Sequence, residues 1–520
     1  MTRADIDPIL EAVPAERQEA ARHYGVHPYF TRRPSNVVRA YIERYSSGGD
    51  TVLDPFGGTG VTAIEAFLLG RHAIHNDLNP FANFIARNIA DTTLRTTQPL
   101  RDAFHRVQEK CTGPLSEIEG SDVAAARWLG RVPLPENIRL PRNSDAELFF
   151  DMFTPKQLAG LALIKDAIDG EKEKAVRNAL LLPWSASVAK LNKTFLSAKG
   201  RAASRGGSSI FSIYRYKLAS QPVELPIWET FQGRYENVLA AKEEILLLRR
   251  YRQQTCPGAA PLDSAKDLRV LAFDAADLER ELGAGSVDYI FTDPPYGGFI
   301  SYLDLSILWN HWLGFSVSED AADREAIVGG ERGHTEEHYK NRLAAGIRAC
   351  MKLLRPDRWF SVVFQHWDVS YFETILESAT NAGAELRAAI TQTGDVIWSM
   401  HKKKNSAHVL AGEMILTFYK PARVKAVAPR PISHAPEVAL SEAFDKCLAD
   451  DAVSFTSESL FNRLIMELWN RKALDCLKID RKRFISELEK RGWSYNSKVH
   501  VWSRVSDAHQ NDDAALLFDR

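Results

Sequence analysis

Thr51-Val52-Leu53-Asp54-Pro55-Phe56-Gly57-Gly58-Thr59-Gly60-Val61 decides the fold of this chain. Three strand-favouring residues run into an acid, a proline and a glycine-rich turn. Val61, Ile64, Phe67 and Leu68 follow at helical spacing, with Gly70 as the stop. Strand, glycine turn and helix in that order make a ligand site at the carboxyl edge of an open α/β sheet. Glycines there let the backbone approach a ligand that a side chain would hold away. A second strand, His72–Asn76, ends at Asp77-Leu78-Asn79-Pro80. Asp77 lies about 20 residues after the turn, where an acid grips a ribose diol. Gly58-x-Gly60-x-x-Ala63 also fits a dinucleotide fingerprint, which keeps a nicotinamide enzyme open, and the missing lysine excludes a Walker loop.

Further along, the apolar run Val287–Thr292 stops at Asp293-Pro294-Pro295-Tyr296. Neither proline donates to a sheet ladder, so the strand ends there at a crevice. The chain offers a carboxylate, a backbone carbonyl and an aromatic face. That set suits the exocyclic amine of a nucleobase taken out of its stack. Asp293-Pro294-Pro295-Tyr296 resembles the catalytic motif of the S-adenosylmethionine-dependent DNA amino-methyltransferases, which act on adenine N6 or cytosine N4. Asp54-Pro55-Phe56-x-Gly58-x-Gly60 resembles their methionine-binding motif.

The resemblance implies a doubly wound, Rossmann-like α/β methyltransferase sheet and S-adenosylmethionine as cofactor. It implies catalytic roles for Asp293, Pro294, Pro295 and Tyr296. Cofactor contacts fall to Asp54, Pro55, Phe56, Gly57, Gly58, Gly60, Asp77 and Leu78. Asp274 and Ala275, after the strand Arg269–Phe273, would meet the adenine, with Asp277 as the alternative acid. Tyr29 and Thr31, in His27-Pro28-Tyr29-Phe30-Thr31-Arg32-Arg33-Pro34, would close over the methionine end. An Asp in the first motif position points to adenine N6, since Ser is commoner in the cytosine N4 enzymes of the family. A tRNA guanine-N2 methyltransferase is the remaining alternative. No Pro-Cys pair supports attack at cytosine C5; Cys256-Pro257 has the reverse order.

Around these motifs the chain divides into 1–92 plus 269–421 as a methyltransferase core, 93–268 as an insert, and 437–520 as a small C-terminal α/β module beyond a proline-rich linker. Residues up to Tyr24 read as a short helix with Pro14 near its first turn, and Leu354–Asp357 as a turn before the strand Trp359–Phe364. Val396–Met400 and Met414–Tyr419 read as the last strands. In the insert, Thr154 and Pro155 open a helix as N-cap and N1. Lys174–Val223 contains no acid but carries Lys193, Lys199, Arg201, Arg205, Arg215 and Lys217 among aromatics, a phosphate-tracking pattern. Lys402 and Lys403 form a second basic turn. The C-terminal module reads as helix, helix, hairpin, similar to a winged helix.

The 520 residues carry 66 Lys+Arg against 67 Asp+Glu, a formal charge of −1, so contact with double-stranded DNA has to come from a local patch. Five scattered cysteines without a Cys-x-x-Cys pair argue against zinc and a disulfide framework. No metal and no membrane are expected, and the setting is the prokaryotic cytoplasm, at the nucleoid. A restriction-modification or phage-defence role would place any nuclease on a separate subunit.

Overall fold

The computed structural model describes residues 5–16, 22–196, 207–255, 262–298, 300–392, 413–423, 436–449, 454–496 and 501–504. Its main sheet is built from β1 (Thr51–Asp54), β2 (His72–Asn76), β5 (Leu268–Leu271), β6 (Val287–Thr292), β7 (Leu354–Phe364), β8 (Glu385–Gln392) and β9 (Glu413–Lys420), in the spatial order β5-β2-β1-β6-β7-β9-β8. A small ladder of β3 (Phe195–Leu196) and β4 (Gly207–Ser208) lies between β2 and β5 in sequence. The first five strands of the sheet are parallel, and β9 runs antiparallel to both β7 and β8. All six residues of β6 are buried, as a central strand covered on both faces demands. Strand order reverses between β1 and β6, where Leu53 pairs with Ile290, and ligands bind at such a switch point. This is the Rossmann-like methyltransferase arrangement.

Both faces are covered. On one, Val52, Tyr289 and Phe291 join an apolar cluster with helices Ser35–Tyr45, Val61–Leu68 and Pro80–Ala90. The same cluster runs without a break into helices Gln98–Gly120, Pro155–Asp169, Lys174–Val188 and Ile227–Thr255, which lie between β2 and β5 in the chain. On the other, Leu53, Ile290 and Phe360 pack with helices Glu336–Leu353 and Val369–Asn381. That cluster continues into helices Pro436–Ala449, Ser457–Asn470 and Arg481–Lys490 through Phe444, Phe461 and Phe484.

Thr154 caps its helix as expected: its hydroxyl accepts from Gln157 N (3.2 Å) while Gln157 Oε1 accepts from Thr154 N (3.0 Å). Two expectations need correction. Of the helix expected up to Tyr24, residues 17–21 lie outside the described residues and Arg22–Tyr24 form a 3-10 turn, while 6–16 run as an irregular strap, with Ile9 N donating to Tyr45 Oη (2.8 Å) and Val13 N to Gln392 Oε1 (3.2 Å). Leu354–Asp357 belongs to β7 rather than preceding it; the ladder absorbs Pro356 at a register shift, with Asp357 at φ 58°. The partner of β9 is β8 at 385–392, while Val396–Met400 lies outside the described residues. In the C-terminal module the two expected helices, Ser457–Asn470 and Arg481–Lys490, and the hairpin of β11 (Trp493–Asn496) and β12 (Val501–Arg504) are present among the described residues, joined by helix Pro436–Ala449 and by β10 (Ser454–Phe455), which pairs with β12.

Candidate active site

At the carboxyl ends of β1, β2, β5, β6 and β7 lies a cavity of about 280 Å³. Its cofactor-type half starts with the turn after β1. Gly57 N donates to Asn76 O and Gly60 N to Gly57 O, both at 2.8 Å. A Cβ on Gly57 would fall 2.2 Å from His75 Nδ1, so the turn lies directly on β2. Gly60 sits at φ 86°, and its Cβ would meet that of Ala86 at 2.6 Å. Only glycine satisfies either position. The turn feeds helix Val61–Leu68, whose first residues, Val61 and Thr62, face the cavity.

Three acids stand around this half. Asp54 Oδ1 accepts from Thr292 Oγ1 (2.8 Å) and Phe56 N (3.2 Å); burial still pushes its carboxyl up to about 7. Asp77 accepts from Gly58 N and Asn79 N, each at 2.8 Å, and burial holds it up at about 6. Asp274 caps the turn after β5 by accepting from Ala276 N (3.0 Å) and pairs with Arg342. The alternative acid, Asp277, is not among the cavity residues; it pairs with Arg324 at 2.5 Å. Tyr29, Thr31, Pro55, Phe56, Gly57, Gly58, Leu78 and Ala275 line the cavity, whereas Gly60 shapes the turn from behind. Thr31 Oγ1 lies 3.3 Å from Tyr302 Oη, and the Tyr29 and Tyr302 rings stack at 6.3 Å.

The second half is the end of β6. Asp293, Pro294, Pro295 and Tyr296 all line the same cavity. Tyr296 Oη donates to Asp293 Oδ1 (2.6 Å), and its ring meets Phe364 edge-on at 5.1 Å. Tyr339 Oη donates to Pro295 O at 2.5 Å, fixing the double-proline turn from helix Glu336–Leu353. Sequence reasoning missed the next partner. Arg33 donates from Nε to Asp293 Oδ2 (2.5 Å) and from Nη2 to Asp293 Oδ1 (3.0 Å) and Tyr296 Oη (2.5 Å), and its Nη1 pairs with Glu413. Burial works against its charge, but the Asp293 carboxylate outweighs burial and holds the guanidinium above its usual range.

Neighbouring Arg32 donates to the carbonyls of Tyr24 and His27 and, at 3.3 Å, to Thr59 Oγ1, tying the segment before the first helix to the glycine turn. The adjacent arginines of His27–Pro34 were the available signal, but their partners lie far away in the chain. Glu325 also escaped notice. It lines the cavity and accepts from Leu303 N (3.0 Å), and burial beside Asp304 and Asp77 pushes it up to about 8.

Of the basic residues proposed to meet DNA, the three that are described, Lys193, Arg215 and Lys217, do not line this cavity. Lys217 and Arg215 are exposed, and Arg215 is engaged by Asp145 at 2.7 Å; Lys193 is half-buried. Lys199, Arg201, Arg205, Lys402 and Lys403 lie outside the described residues. Among the described residues no group of three or more His, Cys, Asp or Glu is placed to hold a metal ion, and no helix is long and apolar enough to cross a membrane.

Residues 8–87, which hold the strap, the glycine turn and Asp77, match the family model described as DNA methylase. Over that stretch the chain is similar to the DNA amino-methyltransferases. It is 31% identical over 72 residues to the type II methyltransferase M.MjaII of Methanocaldococcus jannaschii, covering 14% of each chain. It is 29% identical over 130 residues to the type II methyltransferase M.MthZI of Methanothermobacter thermautotrophicus, covering 24% of this chain and 37% of that one. These matches thus span well under half the length of either curated relative. Among solved structures, the rRNA methyltransferase AviRa of Streptomyces viridochromogenes aligns over 68% of this chain and 84% of its own, at 13% identity and a TM-score of 0.24. A score that low carries no weight, and the fold assignment rests on strand order.

Proposed function

We propose that this chain transfers a methyl group from S-adenosylmethionine to the exocyclic amine of a DNA base, adenine N6 first and cytosine N4 as the alternative. One observation carries the reading: Asp54 and Asp293, at the ends of the paired strands β1 and β6, line a single cavity at the switch point. The residues fit the cofactor. Gly57 and Gly58 present bare backbone to the cavity, which leaves room for close approach, and Asp54 and Asp77 offer carboxylates to a cationic amine and a ribose diol. When bound, the cofactor supplies an electrophilic methyl on a sulfonium.

The chain's own residues do the rest. An aromatic exocyclic amine is a weak nucleophile because its lone pair is delocalised into the ring. Hydrogen bonds from its two hydrogens to the Asp293 carboxylate and the Pro294 carbonyl favour a pyramidal nitrogen with the lone pair free. Tyr296 holds the base by its face. Unstacking the base costs a few kcal/mol, which these contacts offset. Positioning then supplies much of the rate, and acceptors fixed where positive charge develops supply more. No covalent intermediate is involved. The sheet of 1–92 and 269–421 carries this chemistry, the basic span of 93–268 tracks phosphates, and 437–520 contributes to recognition or partner binding. Labelled methyl transfer to DNA, lost in Asp293→Ala with cofactor binding retained, is the test.

A further inference from the structure

Arg33 lies where the proposed target base has to go. It is a flat group bearing N–H donors. Two of its nitrogens donate to the two oxygens of Asp293, and its Cζ stands 5.7 Å from the centroid of the Tyr296 ring. These are the acceptor and the aromatic face that the functional reading gives to the amine and its base. Oδ1 of Asp293 already accepts from both Tyr296 Oη and Arg33 Nη2. A carboxylate oxygen has two lone-pair positions, so Oδ1 is filled while Arg33 stays. An Asp293 neutralised by a guanidinium also stabilises positive charge on the amine less than a free carboxylate does.

The arginine has a second place to go. Its Nη1 already touches Glu413, the first residue of β9, held in register opposite Gln392. Glu413 therefore sits on the sheet, whereas Arg33 belongs to the segment ahead of helix Ser35–Tyr45. The side chains of all three are largely shielded, with 14% of Arg33, 22% of Asp293 and 21% of Glu413 exposed, so an unpaired charge among them is costly.

We infer that Arg33 is a resident stand-in for the target base: it occupies both oxygens of Asp293 in the free enzyme and passes to Glu413 as the base enters. Arg33 and Glu413 are thus positioning residues that set access to Asp293. The exchange keeps the guanidinium paired throughout and leaves the Asp293 carboxylate to the hydrogens of the incoming amine. This inference rests on the DNA amino-methyltransferase reading.

The test uses the full chain, labelled S-adenosylmethionine and unmethylated genomic DNA, with thermal unfolding as the folding control. Arg33→Gln weakens the competitor while keeping its length, so KM for DNA falls several-fold and kcat/KM rises. Glu413→Gln removes the second carboxylate and tightens the hold of Arg33 on Asp293, so KM for DNA rises tenfold or more while affinity for S-adenosylmethionine is unchanged. The double variant recovers most of that loss, because no competitor remains. A tenfold fall in kcat for Arg33→Gln, with Glu413→Gln near wild type, would mean that Arg33 orients Asp293 in the working complex, and the inference fails alone. If the wild-type chain methylates no DNA, the functional reading fails and takes this inference with it.

Discussion

Lowering the pH from 7.5 to 5.5 should weaken S-adenosylmethionine binding by about two orders of magnitude, and the cause is traceable to two carboxyls. Burial lifts Asp54 from the ordinary aspartate range to about 7, which corresponds to about 4 kcal/mol between its two protonation states. A cationic ligand needs Asp54 ionised. If only that form binds, the apparent dissociation constant rises roughly 25-fold across the interval, and Asp77, held up at about 6, adds roughly another fourfold. Free-protein stability moves the other way. Both folded-state values lie above the unfolded ones, so these groups favour the fold below about pH 4 and lose that contribution as pH rises through 6 and 7. The melting temperature of the free protein therefore falls on this account across the window in which ligand-induced stabilisation grows. Titration calorimetry at half-unit steps, kept below the range where the ligand's own amine deprotonates, reads the first effect, and thermal unfolding reads the second. Asp54→Asn should bind more weakly at pH 7.5 and retain only the shallow slope of Asp77. A wild-type affinity that changes less than threefold, or an Asp54→Asn variant with the full slope, would refute the reasoning.

Gly60→Ala should destabilise the chain by about 2–5 kcal/mol, combining left-handed strain at φ 86° with a methyl pressed into Ala86, and should weaken cofactor binding at least tenfold. Wild-type melting and affinity in that variant would contradict the turn's role. Thr154→Ala removes a capping box remote from the cavity and should cost about 1 kcal/mol in urea unfolding while methyl transfer persists. Replacing Lys199, Arg201 and Arg205 with glutamine should reduce the slope of log affinity for DNA against log salt by about 0.9 per lost phosphate contact. An unchanged slope and affinity would remove the insert from the DNA surface.

What could be read in the sequence was what the chain encodes locally. Thr51–Gly60 declares a strand, a turn that needs glycine and a helix within a few residues, and Asp293–Tyr296 declares where β6 stops. The Thr154 cap has the same local character. β8 escaped because Glu385–Gln392 is a sheet-edge strand with alanines where β-branched residues would announce it, and its register shifts between Leu386 and Ala388. The stretch up to Tyr24 looked helical from its alanines, but within 6–16 the backbone is held by Tyr45 and Gln392, the latter 379 positions from Val13. Arg33 was visible as a residue and invisible as a partner: 260 positions separate it from Asp293, and nothing local predicts their meeting.

The central claim is tested most directly by nucleoside mass spectrometry of DNA and of tRNA, each incubated with the purified chain and labelled S-adenosylmethionine. The account predicts labelled N6-methyladenine in DNA, absent with Asp293→Ala although that variant still binds the cofactor; N4-methylcytosine would keep the site chemistry and change the base. Label in tRNA alone, or label in DNA that survives Asp293→Ala, would contradict it.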